Sequence, residues 1–140
     1  MRAAVGEDVP VVVRLSATDW VEGGWTLEDT VRVSRLLGSA GADLIDCSSG
    51  GNDPRQEIPL RPGYQVPFAA TVREGAGVPT GAVGLITEPK RAADILAHGS
   101  ADVVLLAREL LREPHWPLRA AAELGDEVRW PEQYLRAKLP

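Results

Sequence analysis

The segment from Gly81 to Leu96, GAVGLITEPKRAADIL, contains the first residues whose types and spacing could do chemistry. A short apolar run reaches Gly84, and Thr87 then opens a helical pattern. Because glycine lets another group approach the backbone closely, Gly84 could admit a phosphate at the mouth of a helix. A tight strand-to-helix turn would explain the same glycine without a ligand, so the local sequence leaves both interpretations open.

The other reactive residue types are few. His98 and His115 are the only histidines, and neither belongs to a cluster with metal-ligand spacing, so we expect no metal site. Cys47 ends an apolar run, a pattern typical of a small buried residue rather than a nucleophile. From these residue types alone, the sequence predicts no catalytic side chain.

The composition limits the class of protein. With 140 residues, 44% of them hydrophobic and 25% charged, we expect one globular domain over residues 1–140 without an internal boundary. The net charge of −5 and the lack of a basic, aromatic-rich cluster argue against nucleic acid as a partner. No apolar run approaches the roughly 20 residues of a membrane span. One cysteine and no signal-peptide pattern predict a cytoplasmic protein.

Short apolar runs rich in β-branched residues alternate with helical patterns along the chain. Such runs are typical of parallel strands covered on both faces. The predicted strands are Val9–Ser16, Ala42–Ser48, Pro79–Ile86 and Ala101–Arg108. The predicted helices are Leu27–Leu37 with a Thr26 cap, Pro67–Glu74, Glu88–His98 with a Thr87 cap, and Glu109–Leu124, which Pro114 and Pro117 divide into two.

This order of elements predicts an α/β fold with an all-parallel sheet built from right-handed βαβ units. Neither Val11–Leu15 nor Val103–Leu106 contains the proline or lysine that commonly protects an edge strand. The segments SAGADLID and AHGSADVVLL resemble each other, as repeated units of a barrel do. We therefore expect the two outer strands to require neighbours that these residues do not supply.

Three segments resemble the C-terminal half of the Old Yellow Enzyme family of NAD(P)H:flavin oxidoreductases, and its bacterial ene-reductase subclass most closely. They are RLSATDWVEGGWTLEDTVRVSRLLGSAGADLIDCSSGG, PGYQVPFAATVREGAGVPTGAVGLIT and ADVVLLARELLREPHWPLRAAAELG. The resemblance implies the C-terminal half of a (βα)8 TIM barrel, with four parallel strands, barrel strands five to eight, and four helical segments. Strands one to four would then be absent.

The resemblance also implies a cofactor site for FMN. Val83 and Gly84 match the segment whose backbone approaches the FMN phosphate, and Arg108 matches the arginine that pairs with this phosphate. The family usually has glycine before that arginine, where this chain has Ala107. We therefore expect Val83, Gly84, Ala107 and Arg108 to surround the phosphate, with Ala107 as the departure from the pattern.

Two further arginines match family positions. Arg14 matches an arginine on the pyrimidine side of the flavin, where it would stabilise negative charge on the reduced ring. Arg136 resembles an arginine that reaches the active site of a neighbouring subunit. Structural alternatives remain open for all three arginines: an ion pair within the strand layer for Arg14, pairing with Glu109 or Asp102 for Arg108, and a solvated tail for Arg136.

The implied activity is hydride transfer from reduced FMN to activated alkenes, with NAD(P)H as reductant. The family's carbonyl-binding histidine pair, or histidine and asparagine, matches no position here, and Tyr64 and Tyr134 lie outside the motif of its proton-donating tyrosine. We therefore expect a fragment that is inactive alone and that a complementary N-terminal half-barrel would complete. The alternatives are a non-catalytic half-barrel that binds FMN or phosphate and self-associates, and an inactive gene remnant.

Overall fold

The computed structural model describes residues 1–138. Strands and helices alternate along most of the chain, as expected. The elements are α1 (Arg2–Val5), β1 (Val12–Ser16), α2 (Leu27–Ser39), β2 (Leu44–Ser48), α3 (Val66–Ala76), β3 (Thr80–Ala82), α4 (Pro89–Ala97), β4 (Val103–Val104), α5 (Arg108–Arg112), α6 (Trp116–Leu124) and a 3-10 helix (Glu132–Ala137).

The four strands form one parallel sheet in the order β1-β2-β3-β4. In this register Arg14 lies beside Asp46, and Asp46 lies beside Gly81. The predicted α/β fold with four parallel strands is confirmed. Within residues 1–138, β1 and β4 each pair with a single neighbour, so both outer strands present unpaired backbone groups.

The main core lies between one face of the sheet and the helices. Because side chains alternate along a strand, Ile45 and Cys47 point to this helix-covered outer face, and both are fully buried. Helices α2 and α3 approach closely at Gly75, where a Cβ would lie only 2.8 Å from Val31 Cγ1. Other buried members of the core are Ala69, Val72, Val78, Ala82, Ile86, Ala92, Ile95, Ala101, Trp116 and Ala120.

The structure confirms some of the predicted helix boundaries and corrects others. The capping box at α2 is confirmed: the Asp29 amide donates to Thr26 Oγ1 at 3.2 Å, and the Thr26 amide donates to Asp29 Oδ2 at 3.2 Å. The Thr87 cap is wrong, because Glu88 precedes α4 and its side chain makes no capping hydrogen bond. Helix α3 continues through Gly75 and ends at Ala76, and its C-cap Gly77 adopts a left-handed conformation.

Strands β3 and β4 are shorter than their apolar runs. Strand β3 ends at Ala82 because the backbone then turns through positive φ at Gly84 and Leu85. Strand β4 has only one neighbour, and the chain enters α5 at Arg108. The sequence did not predict α1 or the 3-10 helix. Among residues 1–138, no helix combines the length and apolar character that crossing a bilayer requires.

Candidate functional site

The candidate site lies at the carboxyl end of the sheet. Gly84 follows β3 by two residues, and Arg108 follows β4 by four residues. Strands β3 and β4 are parallel neighbours with Ala82 opposite Val104, so both chain segments leave the sheet at the same end. This edge of parallel sheets and barrels commonly holds the functional loops.

The turn from Val83 to Leu85 has an unusual backbone. Gly84 is buried with φ of 118°, and Leu85 has φ of 52°, a conformation that residues with a side chain rarely adopt. Neither the Gly84 amide nor the Leu85 amide donates to an acceptor within residues 1–138. Strained backbone of this kind persists where surrounding contacts impose it, and it concentrates at functional sites. The turn therefore offers two amide donors for an anion.

Neighbouring side chains explain why residue 84 is glycine. A Cβ on Gly84 would lie 2.9 Å from Gln65 Nε2 and 3.1 Å from Tyr64 Cε1. The sequence interpretation assigned the glycine to the approach of a phosphate or to a tight turn. The turn is present, and the space that a side chain would need is filled by this chain itself.

Residues Gly63 and Gln65 hold the carbonyl groups of the same turn. The Gly63 amide donates to the Gly84 carbonyl at 2.8 Å, and Gln65 Nε2 donates to the Val83 carbonyl at 3.2 Å. Gln65 Oε1 accepts a hydrogen bond from Ser49 Oγ at 2.7 Å. Sequence reasoning missed this group; the available signal was a glutamine directly before a Pro-containing helix start, at the end of a polar loop.

Arg108 is the first residue of α5, and its side chain is exposed. The acids proposed as its structural partners pair elsewhere: Glu109 with Arg112, and Asp102 with Arg73 at 3.0 Å. In the described part of the chain, Arg108 forms no ion pair or side-chain hydrogen bond, so its guanidinium remains available to an anion.

Ala107 precedes Arg108 as the N-cap of α5. Its φ of −103° lies in the range open to residues with a side chain, and the residue is exposed. The backbone therefore does not require glycine at this position, where the sequence departs from the family pattern. Val83 is buried, and its carbonyl is the acceptor for Gln65.

Arg14 lies in the middle of β1. Its Nη1 donates to Asp46 Oδ2 at 3.0 Å, and its Nε donates to Ser48 Oγ at 3.0 Å. This is the ion pair within the strand layer that the sequence left open. The Arg14 side chain nevertheless remains 57% exposed, so the contacts leave part of the guanidinium accessible.

Asp46 is a buried carboxyl group on the open, inner face of the sheet. Burial raises its pKa above the ordinary value of 3.8, while the charge of Arg14 and its hydrogen bond oppose this shift. Oδ1 has no hydrogen-bond partner within residues 1–138. Sequence reasoning missed Asp46, although an acid between the apolar residues Ile45 and Cys47 of the run ADLIDCS was the signal.

Two further residues considered in the sequence are Arg136 and Cys47. Arg136 is exposed in the 3-10 helix, and it forms no ion pair with another described residue. Burial is the main cause that raises the pKa of the Cys47 thiol to about 12, so the thiol stays protonated at neutral pH. No group of three or more potential metal ligands occurs among the described residues.

Comparison with known proteins gives consistent matches. A profile of the NADH:flavin oxidoreductase / NADH oxidase family matches residues 1–127. Proteins called NADPH dehydrogenase are 49% identical over 132 residues in Halalkalibacterium halodurans and 50% identical over 129 residues in Geobacillus thermodenitrificans. These matches cover 94% and 92% of this chain but only 39% and 38% of the relatives. The chain thus spans about two fifths of their length.

Solved structures show the same fold. Histamine dehydrogenase from Rhizobium sp. 4-9 superposes with a TM-score of 0.69 at 24% identity, over 89% of this chain and 18% of that protein. The 6-hydroxypseudooxynicotine amine oxidase from Pseudomonas geniculata N1 gives a TM-score of 0.71 at 27% identity, over 88% and 19%. The predicted half of a (βα)8 barrel is confirmed.

Proposed function

The chain belongs to the NADH:flavin oxidoreductase / NADH oxidase family, and we propose that it forms the phosphate-binding side of an FMN site. The complete enzyme would be a cytoplasmic NAD(P)H-dependent oxidoreductase of the ene-reductase type. When bound, FMN would supply hydride transfer between NAD(P)H and an activated alkene. Two observations support the proposal: the segments that contain Gly84, Leu85 and Arg108 leave the sheet at the same end, and neither these two amides nor the Arg108 side chain has a hydrogen-bond partner within residues 1–138.

The phosphate contacts follow from the charges and donors of this edge. Backbone amides and a guanidinium are the donors that proteins use for phosphate, and a charge-assisted hydrogen bond contributes about 1.5–3 kcal/mol. Gly84 and Leu85 would donate through their amides, and Arg108 through its side chain. Ala107 would lie beside them, with its methyl group accommodated by an exposed position.

Arg14 would contact the pyrimidine side of the flavin ring. Its contacts with Asp46 and Ser48 hold the side chain in place, while its exposed part remains free to donate. A positive group held there would stabilise negative charge that develops on the ring. The neighbouring Asp46 carboxylate, when ionised, would partly cancel the positive charge of Arg14. The pair would therefore stabilise negative charge on the ring less than Arg14 alone.

Catalysis would require residues outside this chain. No position here matches the carbonyl-binding pair that the resemblance leads us to expect, and the relatives are more than twice as long as the matched region. We propose that a complementary half-barrel covers the inner face and the open edges of β1 and β4. Self-association of this chain is the alternative, and sedimentation distinguishes the two: a dimer or larger species without added partner would favour self-association.

A comparison of FMN with riboflavin tests the proposal, because riboflavin lacks only the phosphate. Flavin fluorescence titration should show tighter binding of FMN, and Arg108→Gln should weaken FMN binding about 10- to 150-fold while sparing riboflavin. The matched control is Arg112→Gln on the same helix, where the arginine already pairs with Glu109. Equal affinity of the unmodified chain for both flavins would overturn the proposal.

A second measurement tests the expected incompleteness. Mixed with FMN, NAD(P)H and an enone, the chain alone should not reduce the alkene, because it lacks groups that polarise the substrate carbonyl. Sustained alkene reduction by this chain would contradict that part of the proposal while leaving FMN binding intact.

A further inference from the structure

We propose that Gln65 is a positioning residue for the phosphate-binding turn, an inference that rests on the proposed function. Gln65 is only 3% exposed, although it follows a polar loop. Its carboxamide uses both ends: Nε2 donates to the Val83 carbonyl, and Oε1 accepts from Ser49 Oγ. The side chain thereby connects the loop after β2 to the turn after β3.

Gln65 and the residues beside it contact two consecutive peptide units of the turn, Val83–Gly84 and Gly84–Leu85. The Gly63 amide donates to the Gly84 carbonyl, so hydrogen bonds hold the carbonyls of both Val83 and Gly84. The Tyr64 ring fills the space beside Gly84. Three consecutive residues, Gly63 to Gln65, therefore fix the orientation of the turn that carries the two unpaired amides.

A device of this kind has a physical purpose. Positive φ at Leu85, a residue with a side chain, is costly, and such a conformation persists only where neighbours impose it. A turn free to relax would have to be ordered again each time it bound an anion, and this ordering would weaken binding. A turn that is already ordered before binding avoids this entropy cost. The gain should apply to FMN and not to riboflavin, because only the phosphate would contact these amides.

Gln65→Met tests the inference, because methionine keeps the approximate length of the side chain and removes the donor to Val83. FMN affinity should fall about fivefold to tenfold, the loss expected for one net hydrogen bond of about 1–1.5 kcal/mol, while riboflavin affinity changes less than about twofold. Ser49→Ala removes only the contact that orients the carboxamide, and should give a smaller loss in the same direction. The matched control is Gln56→Met, which removes a glutamine that accepts from the Gly51 amide in the preceding loop.

Hydrogen exchange of the flavin-free chain gives a readout that does not require cofactor. The Gly63 amide, which donates to the Gly84 carbonyl at 2.8 Å, should exchange faster in Gln65→Met than in the unmodified chain, and at an unchanged rate in Gln56→Met. Equal losses of FMN and riboflavin affinity in Gln65→Met, or an unchanged preference for FMN, would overturn the inference alone. If the unmodified chain showed no preference for FMN, the proposed function would fall together with the inference. Should Gln65→Met not fold, Ser49→Ala is measured against the same outcomes.

Discussion

The two faces of the sheet differ although they are built from the same strands. On the outer face, Ile45 and Cys47 are fully buried beneath the helices. On the inner face, Val12 is 54% exposed and Val103 is 39% exposed. Because side chains alternate along a strand, one face of the sheet forms the buried core and the other face stays accessible to solvent.

The inner face also contains the ion pair of Arg14 and Asp46. The buried core on the outer face consists of hydrophobic residues. Around Gly81, the inner face is apolar: a Cβ there would lie 2.3 Å from Leu105 Cδ1 and 3.5 Å from Leu44 Cδ2. A half-covered apolar surface beside an ion pair is what the interior of a barrel presents when its other strands are missing. The contrast between the faces therefore supports the incomplete barrel independently of sequence similarity.

The largest expected effect compares adjacent residues of β2 that point to opposite faces. Ile45→Ala should lower the free energy of unfolding by about 2–5 kcal/mol, because it leaves a cavity in the core. Leu44→Ala removes the same number of carbon atoms from the half-buried inner face and should cost less than half as much. Urea denaturation followed by circular dichroism measures both. Equal losses would show that the inner face contributes as much stability as the outer face.

The next effect concerns the turn at the end of β3. Gly84→Ala combines positive φ with a clash against Gln65 and should cost about 2–4 kcal/mol. Gly51→Ala is the matched control, because Gly51 has φ of 89° but no atom within 4 Å of a Cβ, so it should cost about 1 kcal/mol. The same denaturation experiment compares them. Equal losses in the two variants would show that the packing of Tyr64 and Gln65 against the turn does not contribute to the cost of the Gly84 substitution.

Local patterns in the sequence were sufficient for most of the fold. Apolar runs identified all four strands, and the Thr26–Asp29 spacing identified the α2 capping box, because both depend on neighbouring residues. The site required more. The Arg14–Asp46 pair joins residues 32 positions apart, and the Gln65–Val83 bond joins residues 18 apart. Such contacts depend on strand register and loop packing, which periodicity does not encode.

Local sequence patterns also did not predict where the strands end. The runs at Pro79–Ile86 and Ala101–Arg108 are mostly apolar, yet only Thr80–Ala82 and Val103–Val104 form ladder pairs. The buried residues Val83 and Ile86 contribute to the core from a turn rather than from a strand. Hydrophobicity thus predicted the burial of Val83 and Ile86 but not the exposure of Leu85 and Val103, and it predicted secondary structure too broadly.

The smallest effect is a pH dependence that sharpens the contrast between the faces. Burial raises the pKa of Asp46, so its ionised form disfavours the folded state, and the cost appears as pH rises from below 3.8 through the raised pKa. Asp46→Asn cannot ionise, and its stability relative to the unmodified chain should therefore increase from about pH 3.5 to about pH 7.

Asp43 provides a control with the opposite sign. The Val11 amide donates to its carboxylate at 2.6 Å, and this bond together with Arg2 lowers its pKa below 3.8. Asp43 therefore stabilises the fold above the ordinary carboxyl pKa and loses that contribution as pH falls, so Asp43→Asn should become relatively less stable as pH rises. Urea denaturation at several pH values gives both trends. Parallel trends in the two variants would show that Asp46, despite its burial, is governed by its pairing with Arg14 rather than by desolvation on the inner face.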